Sequence, residues 1–475
     1  MKRFYFLLAI VIAVIMSSCS NEDYKSYVPA DSKMVGKIDL KEFFVQTGVD
    51  QEKFFKDIVE QYGDDVADFK NSGLDLTSPL YIFARNSGSE IVYGIVAKVA
   101  DRAMAENYYA KSSKKTLKKA ADYSYDVDAA ASVAINDEAM LVVGKSNRDK
   151  DSMEKTLTRI MSKDFNGNLG ENRIFAQADG SSSFASFSAD MSIIPDEALS
   201  GAGSMAGMSS KDFEEMRSIV LNLEGNASGG VCDFVCSAKS DNKDVQERID
   251  KTNKAFGMIS EKAFSSFSSG DLCGFAMNTD GARLAELIKD AIDRSSNDQM
   301  KQMMGGFMEQ LSTLLGKIRG NVVGVLNSPQ DFIIKAEGKN ITPDIVGMIN
   351  EGGMAGALGL ASTSNGYSIG GQAWFGYEDG NFYITGNENT AAQPSKVMGG
   401  PAPSALTSLM KGRKSVIYGN VARLKDMAAM SGENSRDLKA FDAIFDKVQY
   451  VTLSYKYSSK YTQHNKSACE GAFVV

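Results

Sequence analysis

Nucleophilic catalysis by serine or cysteine requires a histidine close by in the fold, so the histidine count bounds this chemistry. The chain of 475 residues contains one, His464, in the segment "SSKYTQHNKSA". We expect this segment to be a polar hairpin loop between the last two strands, with His464 exposed. We also expect no strand-to-helix nucleophile elbow. Both expectations weigh against a serine or cysteine hydrolase.

Metal binding is a second chemistry, and the ligand set for it is poor. One histidine and scattered cysteines do not supply the closely spaced ligands of a zinc site. Oxygen ligands occur in "DNKDVQE" (241–247) and "NGNLGEN" (166–172), but neither has EF-hand spacing. We expect the first segment to begin a helix and the second to form a loop. We expect no metal and no other cofactor. The glycine-rich stretch 350–362 fits neither common phosphate-binding pattern.

The spacing of acidic residues along the sequence cannot exclude a catalytic pair of carboxylates, because the two acids of a glycoside hydrolase come from separate strands. A carboxylate-based hydrolase acting on glycans or peptidoglycan therefore stays open as the alternative function. The only tryptophan is Trp374, in "GGQAWFGY", and we expect it in the core rather than under a sugar. A cleft with two carboxylates about 5–10 Å apart would favour the hydrolase. A broad apolar patch would favour binding.

The clearest chemical signal is Cys19. It follows a basic start, the apolar stretch 4–16 and two serines, which is the arrangement of a signal peptide over residues 1–18. Small residues before a cysteine resemble a bacterial lipobox, in which the thiol forms a thioether to a diacylglyceryl group. We predict lipid attachment at Cys19, because two or more acyl chains hold a protein durably on a membrane. An ordinary secretory signal with an incidental cysteine is the other interpretation.

Residues 19–26 are predicted to be a polar tether. Its start, "SNED" at 20–23, resembles the acidic signals that send lipoproteins of Bacteroidota to the outer face of the outer membrane. The predicted location is the outer membrane, lipid-anchored and facing the exterior, and an inward-facing position on the same membrane is the other interpretation. The net charge of −8 disfavours nucleic acid as a partner. The one basic run, 111–119, is expected to be a solvated helix face.

The other four cysteines are Cys232, Cys236, Cys273 and Cys469. Cys232 and Cys236 fall on one predicted strand, about 13 Å apart on the same face, which is too far for a mutual disulfide. Bridges to Cys273 or Cys469 stay open. We expect free thiols.

Four strand-to-helix transitions organise the chain, at 34–44, 182–194, 272–288 and 415–428. The first and third align around Gly36 and Gly274, and the second and fourth align at a similar spacing. We predict an α+β fold of antiparallel sheets with helices on one face, internally duplicated into two similar halves.

The predicted halves are 27–262 and 265–475, each with a larger and a smaller unit. The units are about 27–165, 178–262, 268–395 and 410–475.

Hairpins support this division. Matching hairpins are predicted at 134–147 and 376–389, and others at 80–99, 221–239 and 448–475. In the last one, Val451, Leu453, Tyr455 and Tyr457 alternate onto one face. A methionine-rich helix is predicted at 298–318, with one apolar face packed on a sheet.

The segment "YVPADSKMVGKIDLKEF" (27–43) resembles the opening of a domain-of-unknown-function family of Bacteroidota lipoproteins. The resemblance implies the lipoprotein class and no activity. We predict a non-enzymatic binding or envelope-interaction protein. Its partners would be the membrane, through the lipid anchor, and an envelope protein or glycan.

Overall fold

The computed structural model describes residues 22–62, 72–87, 90–146, 149–165, 167–194, 210–294, 310–328, 330–351, 355–395, 401–430 and 442–455. Cys19, His464 and Cys469 lie outside these residues. So does the predicted methionine-rich helix up to residue 309, and Ile318, its predicted end, already belongs to a strand.

The described strands pair into one sheet. They are β1 (Met34–Ile38), β2 (Leu80–Ser87), β3 (Glu90–Lys98), β4 (Lys118–Lys119), β5 (Ser124–Asp126), β6 (Ser132–Ile135), β7 (Ala139–Lys145), β8 (Ala185–Asp190), β9 (Ile219–Ser228), β10 (Val231–Ser240), β11 (Phe256–Gly257), β12 (Cys273–Asp280), β13 (Ile318–Ser328), β14 (Asp331–Gly338), β15 (Leu360–Thr363), β16 (Gly366–Ile369), β17 (Ala373–Glu378), β18 (Asn381–Thr385), β19 (Ser415–Asn420) and β20 (Tyr450–Tyr455).

The described α-helices are α1 (Leu40–Thr47), α2 (Gln51–Tyr62), α3 (Arg102–Ser113), α4 (Lys150–Met161), α5 (Arg173–Asp179), α6 (Ser210–Arg217), α7 (Lys243–Lys254), α8 (Gly281–Arg294), α9 (Ile341–Glu351), α10 (Ala355–Leu358), α11 (Glu388–Ala392), α12 (Ser404–Met410), α13 (Val421–Met430) and α14 (Asp442–Phe445). Short 3₁₀ helices include Glu22–Tyr27, Leu169–Glu171, Met191–Ile193 and Glu261–Ser266.

The sheet runs in the order β4-β5-β6-β7-β3-β2-β1-β8-β9-β10-β20-β19-β12-β13-β14-β18-β17-β16-β15. β11 adds a short pairing to β12. Read outward from β10, the two sides follow the same connectivity. A central strand, β1 or β12, pairs with the first strand of a hairpin on one edge and with a later strand, β8 or β19, on the other. Strands of the predicted larger and smaller units therefore share one sheet.

Three of the four predicted transitions lead from a strand into an α-helix: β1 into α1, β12 into α8, and β19 into α13. The second, at 182–194, leads only into the 3₁₀ helix Met191–Ile193. Asp39 shows why the helices begin where they do, because its carboxylate accepts the backbone N–H of Glu42 at 3.0 Å. Asp101 caps α3 and Asp149 caps α4 in the same way.

The hairpin turns agree with the local sequence. Between β17 and β18 the turn residues Asp379 and Gly380 have φ of 50° and 84°. These positive angles fit a two-residue type I′ turn, which favours aspartate followed by glycine. Between β6 and β7 the Asn136 side chain accepts the backbone N–H groups of Glu138 and Ala139.

Helices cover both faces of the sheet in the first half, so the prediction of helices on one face is wrong there. α1, α2 and α3 pack on one face through a core that includes Phe44, Phe54 and Tyr109. α4 and α5 pack on the other through a core that includes Met153 and Phe175. The strands between them are apolar at consecutive positions, as in "AMLVVG" of β7, because a strand buried on both faces has no solvated side.

The described fold begins with the 3₁₀ helix Glu22–Tyr27, which overlaps the predicted tether. Tyr24 and Tyr27 are 3% and 4% exposed. The Tyr24 hydroxyl donates to the Pro79 carbonyl at 2.8 Å, and the Lys25 amine lies 3.1 Å from the Asp179 carboxylate. The packed body therefore starts only three residues after Cys19.

The two sides of the sheet meet where β10 pairs with β20. Among the described strands this is the one parallel pair, and it aligns Val231 with Tyr450. β20 also pairs with β19, so both of its edges are occupied. The predicted hairpin partner after Tyr455 would need a free edge of β20, so this hairpin is wrong for Tyr450–Tyr455.

A buried carboxylate holds this parallel junction. Asp233 is 6% exposed. It accepts hydrogen bonds from Arg413 Nη2 at 2.7 Å, Thr452 Oγ1 at 2.8 Å and Ser454 Oγ at 3.3 Å. A buried charge is stable only when it is paired and hydrogen-bonded. Asp233 therefore fixes the parallel register of β20.

We expect Asp233→Ala to lower the free energy of unfolding by about 3 kcal/mol, because it leaves a partly buried guanidinium and two hydroxyls without their acceptor. Urea denaturation followed by circular dichroism measures this. Asp241→Ala is the matched control, since Asp241 pairs with Arg173 at the surface and such pairs contribute less than about 1 kcal/mol. Equal losses in the two variants would contradict the role given to Asp233.

Candidate functional site: an open apolar face of the sheet

The core of the first half continues along the sheet as a chain of aromatic rings. The ring of Phe43 in α1 lies 5.4 Å from that of Phe44 and 5.3 Å from that of Phe184. Phe184 in turn lies 6.0 Å from Phe234 on β10. Edge-to-face contacts at these distances are favourable. Apolar packing therefore reaches from α1 to the junction between the two halves.

Beyond Phe234 the same face carries one apolar row across several strands. The register aligns Phe234 with Leu453, Leu453 with Ile417, and Ile417 with Phe275. It continues from Phe275 to Gly324 and from Gly324 to Ile334. We call Phe234, Leu453, Ile417, Phe275, Gly324 and Ile334 the apolar row.

The centre of the apolar row is exposed. Ile417 is 59% exposed and Leu453 47%, whereas Phe234, Phe275 and Ile334 are half-buried. In the first half the same side of the sheet is covered by α1, α2 and α3. Near β10, the small cluster of Cys232, Val421 and Val448 continues that cover. The described cover then ends before the middle of the row.

The alternation in β20 is the reverse of that in an ordinary half-buried strand. Tyr450, Thr452 and Ser454 are buried, whereas Val451 and Leu453 are 37% and 47% exposed. The predicted alternation is confirmed for the described residues, but the apolar side is the open one. The polar side is buried because the hydroxyls of Thr452 and Ser454 donate hydrogen bonds to the buried Asp233 carboxylate.

The rows on either side of the apolar row carry no charge. One holds Cys232, Val451, Gly419, Cys273, Leu326 and Phe332. The other holds Cys236, Tyr455, Ser415, Met277, Val322 and Ala336. Within the row, a Cβ at position 324 would lie 2.2 Å from the Phe275 ring. Glycine at 324 therefore lets this ring lie flat against the neighbouring strand.

Cys232, Cys236 and Cys273 are free thiols in this face. Cys232 and Cys236 lie on β10, as predicted, and Cys469 lies outside the described residues. Burial raises the pKa of Cys232 to about 11 and also raises the pKa of Cys236 and Cys273. The thiol form is therefore dominant at neutral pH, and these cysteines contribute apolar surface rather than nucleophiles.

The other predicted site residues are dispersed. Trp374 was expected in the core but is only half-buried in β17. The segment 241–247 begins α7 with Asn242 as its cap, as expected. The segment 166–172 leads through a 3₁₀ helix to the cap of α5. A G-x-S-x-G pattern does occur, as "GYSIG" at 366–370, but Ser368 lies inside strand β16 rather than on a strand-to-helix turn.

Within the described residues, His, Cys, Asp and Glu form no group of three that could hold a metal ion. The described helices include none that is both long and apolar enough to cross a bilayer.

A polar cleft lies on the opposite face of the second half. Its volume is about 250 Å³, and β13, β14, β17 and β18 form its floor. Glu337 on β14 and Glu378 on β17 both pair with Asn381, so their Cα atoms lie about 10 Å apart across two strand spacings. Sequence reasoning missed this cleft because its residues come from separate strands.

The basic run 111–119 is not a helix face, since it passes from the end of α3 into β4. Two of its lysines pair with neighbouring carboxylates, Lys115 with Asp126 and Asp128 and Lys119 with Glu106. Glu106 accepts hydrogen bonds from Lys119 at 2.5 Å, Ser124 at 2.7 Å and Arg102 at 2.8 Å. Burial opposes ionisation of Glu106, but these bonds outweigh it and lower the pKa of Glu106 to about 2.

This cluster gives a pH-dependent stability. Because the folded pKa of Glu106 is depressed, its contribution is full above the unfolded pKa of about 4.3 and is lost as pH falls towards 2. We expect Glu106→Gln to cost about 2 kcal/mol of unfolding free energy at pH 7, less than the full shift because the carboxylate is partly solvated. The difference from wild type should shrink between pH 4.5 and 2.

Urea titrations at a series of pH values measure this difference. Glu247→Gln serves as control, because Glu247 pairs with Lys251 on an exposed face of α7. A Glu106→Gln penalty that is the same at pH 7 and pH 2.5 would contradict the assignment.

The fold and its open face define a mixed helix-and-sheet protein with a large, mostly antiparallel sheet and one incompletely covered apolar side. Residues 24–468 match the model of a family described as a domain of unknown function, DUF4836. The chain belongs to this family.

Two solved structures, crystal forms I and III of TP0453, are each 10% identical to this chain. They cover 78% of this chain and 95% and 96% of their own, with TM-scores of 0.21 and 0.22. Scores this low carry no argument. A search of the curated proteins found no match.

Proposed function

We propose that this chain is a lipid-anchored outer-membrane protein, facing the cell exterior, that binds the acyl chain of an envelope lipid on its apolar row. The observation that carries the proposal is the exposure of Ile417 and Leu453 at the centre of a continuous uncharged face. Large aliphatic side chains kept exposed side by side are typical of interaction sites.

The shape and chemistry of the face favour an acyl chain over a protein partner. From β10 to β14 the apolar row crosses five strand spacings, about 24 Å at 4.8 Å each. This length is comparable to that of a long acyl chain. The two flanking rows carry no charge, whereas protein–protein interfaces normally have a polar rim that supplies hydrogen bonds.

The short tether supports a membrane-adjacent role. Two residues separate Cys19 from the start of the packed 3₁₀ helix Glu22–Tyr27, and the three residue steps reach about 10 Å. An acylated Cys19 would therefore hold the folded body beside the head groups of the lipids. A lipid-binding face on such a body needs no long diffusion to meet its ligand.

We also propose that the two halves arose by internal duplication, with boundaries near 27–262 and 265–475. Support comes from the strand order, which is the same read outward from β10 on both sides. The 3₁₀ helices Glu22–Tyr27 and Glu261–Ser266, each preceding the central strand of its half, add to this support.

The hydrolase alternative is supported by one feature, the polar cleft with Glu337 and Glu378. We rank it second because both carboxylates accept hydrogen bonds from neutral donors, Asn321 and Ser395. A glycosidase general acid needs an apolar, water-poor surrounding that keeps it protonated. The neighbouring Asp379 and Lys262 are exposed, so this cleft is wet.

The test of the apolar row is palmitate binding by calorimetry with the Ile417→Ser, Leu453→Ser double variant. We expect binding about 30-fold weaker than in wild type, because lost contact with two aliphatic side chains removes about 2 kcal/mol. Both positions are exposed, so the variant should keep the wild-type Tm.

Val45→Ser is the matched control, since Val45 is an exposed aliphatic residue of α1 outside the row. It should bind palmitate like wild type. Equal binding by all three proteins would overturn the proposal. A concentration-dependent dimer that only the double variant abolishes would instead make the row a self-association surface and would also overturn it.

The anchor has a separate test. Cys19→Ala should move the protein from the membrane fraction to the soluble fraction and abolish its labelling by radioactive palmitate in cells. Protease added to whole cells should digest the wild-type protein. A Cys19→Ala protein that still sediments with outer membranes would refute lipid anchoring while leaving the palmitate-binding test unaffected.

A further inference from the structure

The polar cleft occupies a face that is fully packed in the first half. There, β2, β3 and β7 present Tyr81, Phe83, Val96 and Leu141 to α4 and α5, and all four are buried. In the second half, "TAAQPSKVMGGPAP" stands where α4 follows its hairpin. Only the five-residue α11 (Glu388–Ala392) follows the hairpin of β17 and β18, whereas α4 has twelve residues, and a cleft opens where the longer helix covers the sheet in the first half.

The floor of this cleft is polar where the first half is apolar. It carries Asn321, Lys335, Glu337 and Asn381 on three adjacent strands. Asn321 is held in place, since its amide donates to Glu337 at 2.7 Å and to Ser260 at 2.6 Å. A sheet that had only to fold would keep apolar residues here, and departures from such patterns concentrate at functional sites.

Lys335 lies at the centre. A second, smaller pocket shares Lys335, Ser266 and Pro394 with the first, so the amine stands where the two meet. The described residues provide neither an ion pair nor a hydrogen bond for its amine. Burial lowers the pKa of Lys335, and the charges of Glu378 and Asp379 oppose this shift. A partly desolvated amine of this kind is stabilised by an acidic group on a ligand.

The other end of the cleft is acidic and is formed by Glu378 and Asp379. Glu378 and Asp379 share a single neutral donor among the described residues, the Ser395 hydroxyl, at 2.5 Å and 3.0 Å. Two neighbouring carboxylates with one neutral donor favour a cation. Because they also make the cleft acidic overall, with Glu337 as the third carboxylate, a polyanion such as a phosphate is disfavoured.

The spacing of the two ends suits a short peptide. Lys335 pairs with Tyr383, and Tyr383 with Gly376, two residues before Glu378. Two strand spacings and one two-residue step put the Cα atoms of Lys335 and Glu378 about 12 Å apart. An extended peptide spans about 3.3 Å per residue, so a peptide of about three residues covers the distance between these two backbone positions.

We propose that this cleft binds a small zwitterionic ligand, a peptide of two or three residues with its carboxylate on Lys335 and its amino group on Glu378 and Asp379. The side chains of Asn321 and Asn381 form part of the floor beneath its backbone. This site is separate from the apolar row, which lies on the other face of the sheet.

The experiment is calorimetric titration of the full-length protein with trialanine, N-acetyl-trialanine and trialanine amide at matched ionic strength. We expect trialanine to bind and each capped peptide to bind at least tenfold more weakly. Lys335→Met should abolish the discrimination between acid and amide, and Glu378→Gln with Asp379→Asn should abolish that between free and acetylated amine.

Lys339→Met is the matched control, because Lys339 is exposed just beyond β14 and outside the cleft. It should behave like wild type, and circular dichroism should show that all variants are folded. Equal affinity for the three peptides, or no trialanine binding up to about 10 mM, would overturn the proposal. So would a Lys335→Met protein that still distinguishes acid from amide.

Discussion

The parallel pairing of β10 with β20 is the contact on which the architecture depends. Everything to one side of β10 comes from the first part of the chain, and β20 brings in the rest. Without that pairing the sheet would be two separate sheets, each with an exposed edge open to aggregation. Asp233 makes the junction specific, because its carboxylate is buried and its donors lie on β20 and just before β19.

The same junction determines what each face of the sheet can do. Burying Thr452 and Ser454 against Asp233 requires β20 to turn Val451 and Leu453 the other way, since side chains alternate along a strand. The open apolar face is thus the geometric counterpart of the polar junction. On the opposite face, the second half has only the five-residue α11 where the first half has α4, and the strands beneath the cleft carry polar residues where the first half carries aromatic and aliphatic ones.

Local sequence was sufficient for much of the fold. Hairpins were predictable because turn chemistry is short-range, as at Asp379-Gly380, and helix starts were predictable from caps such as Asp39. The consecutive apolar residues of β7 indicate that helices cover both faces of the sheet in the first half. Both predicted features of the last strand, its alternation and its hairpin, came from the same local pattern, and only the alternation is confirmed.

The candidate sites lay beyond such reasoning. Alternation in β20 could not reveal which side faces a core, because that depends on Asp233, about 220 residues earlier. The cleft joins Asn321, Lys335 and Glu378, which become neighbours only through strand pairing. The local hint was the proline- and glycine-rich segment after 376–389, which ends α11 after five residues where α4 continues for twelve.

The late position of β20 in the chain also dictates an order of assembly. Tyr450–Tyr455 pairs with β10 and β19, which are both synthesised earlier, so the sheet cannot become continuous until the chain has been synthesised past Tyr455. Until then the backbone hydrogen-bonding groups on one edge of β10 have no partner strand. Bringing β10 together with β20, about 220 residues later in the chain, is slow compared with forming hairpins. A nascent chain of this design has to be shielded from its neighbours for longer than one whose strands pair only in sequence order.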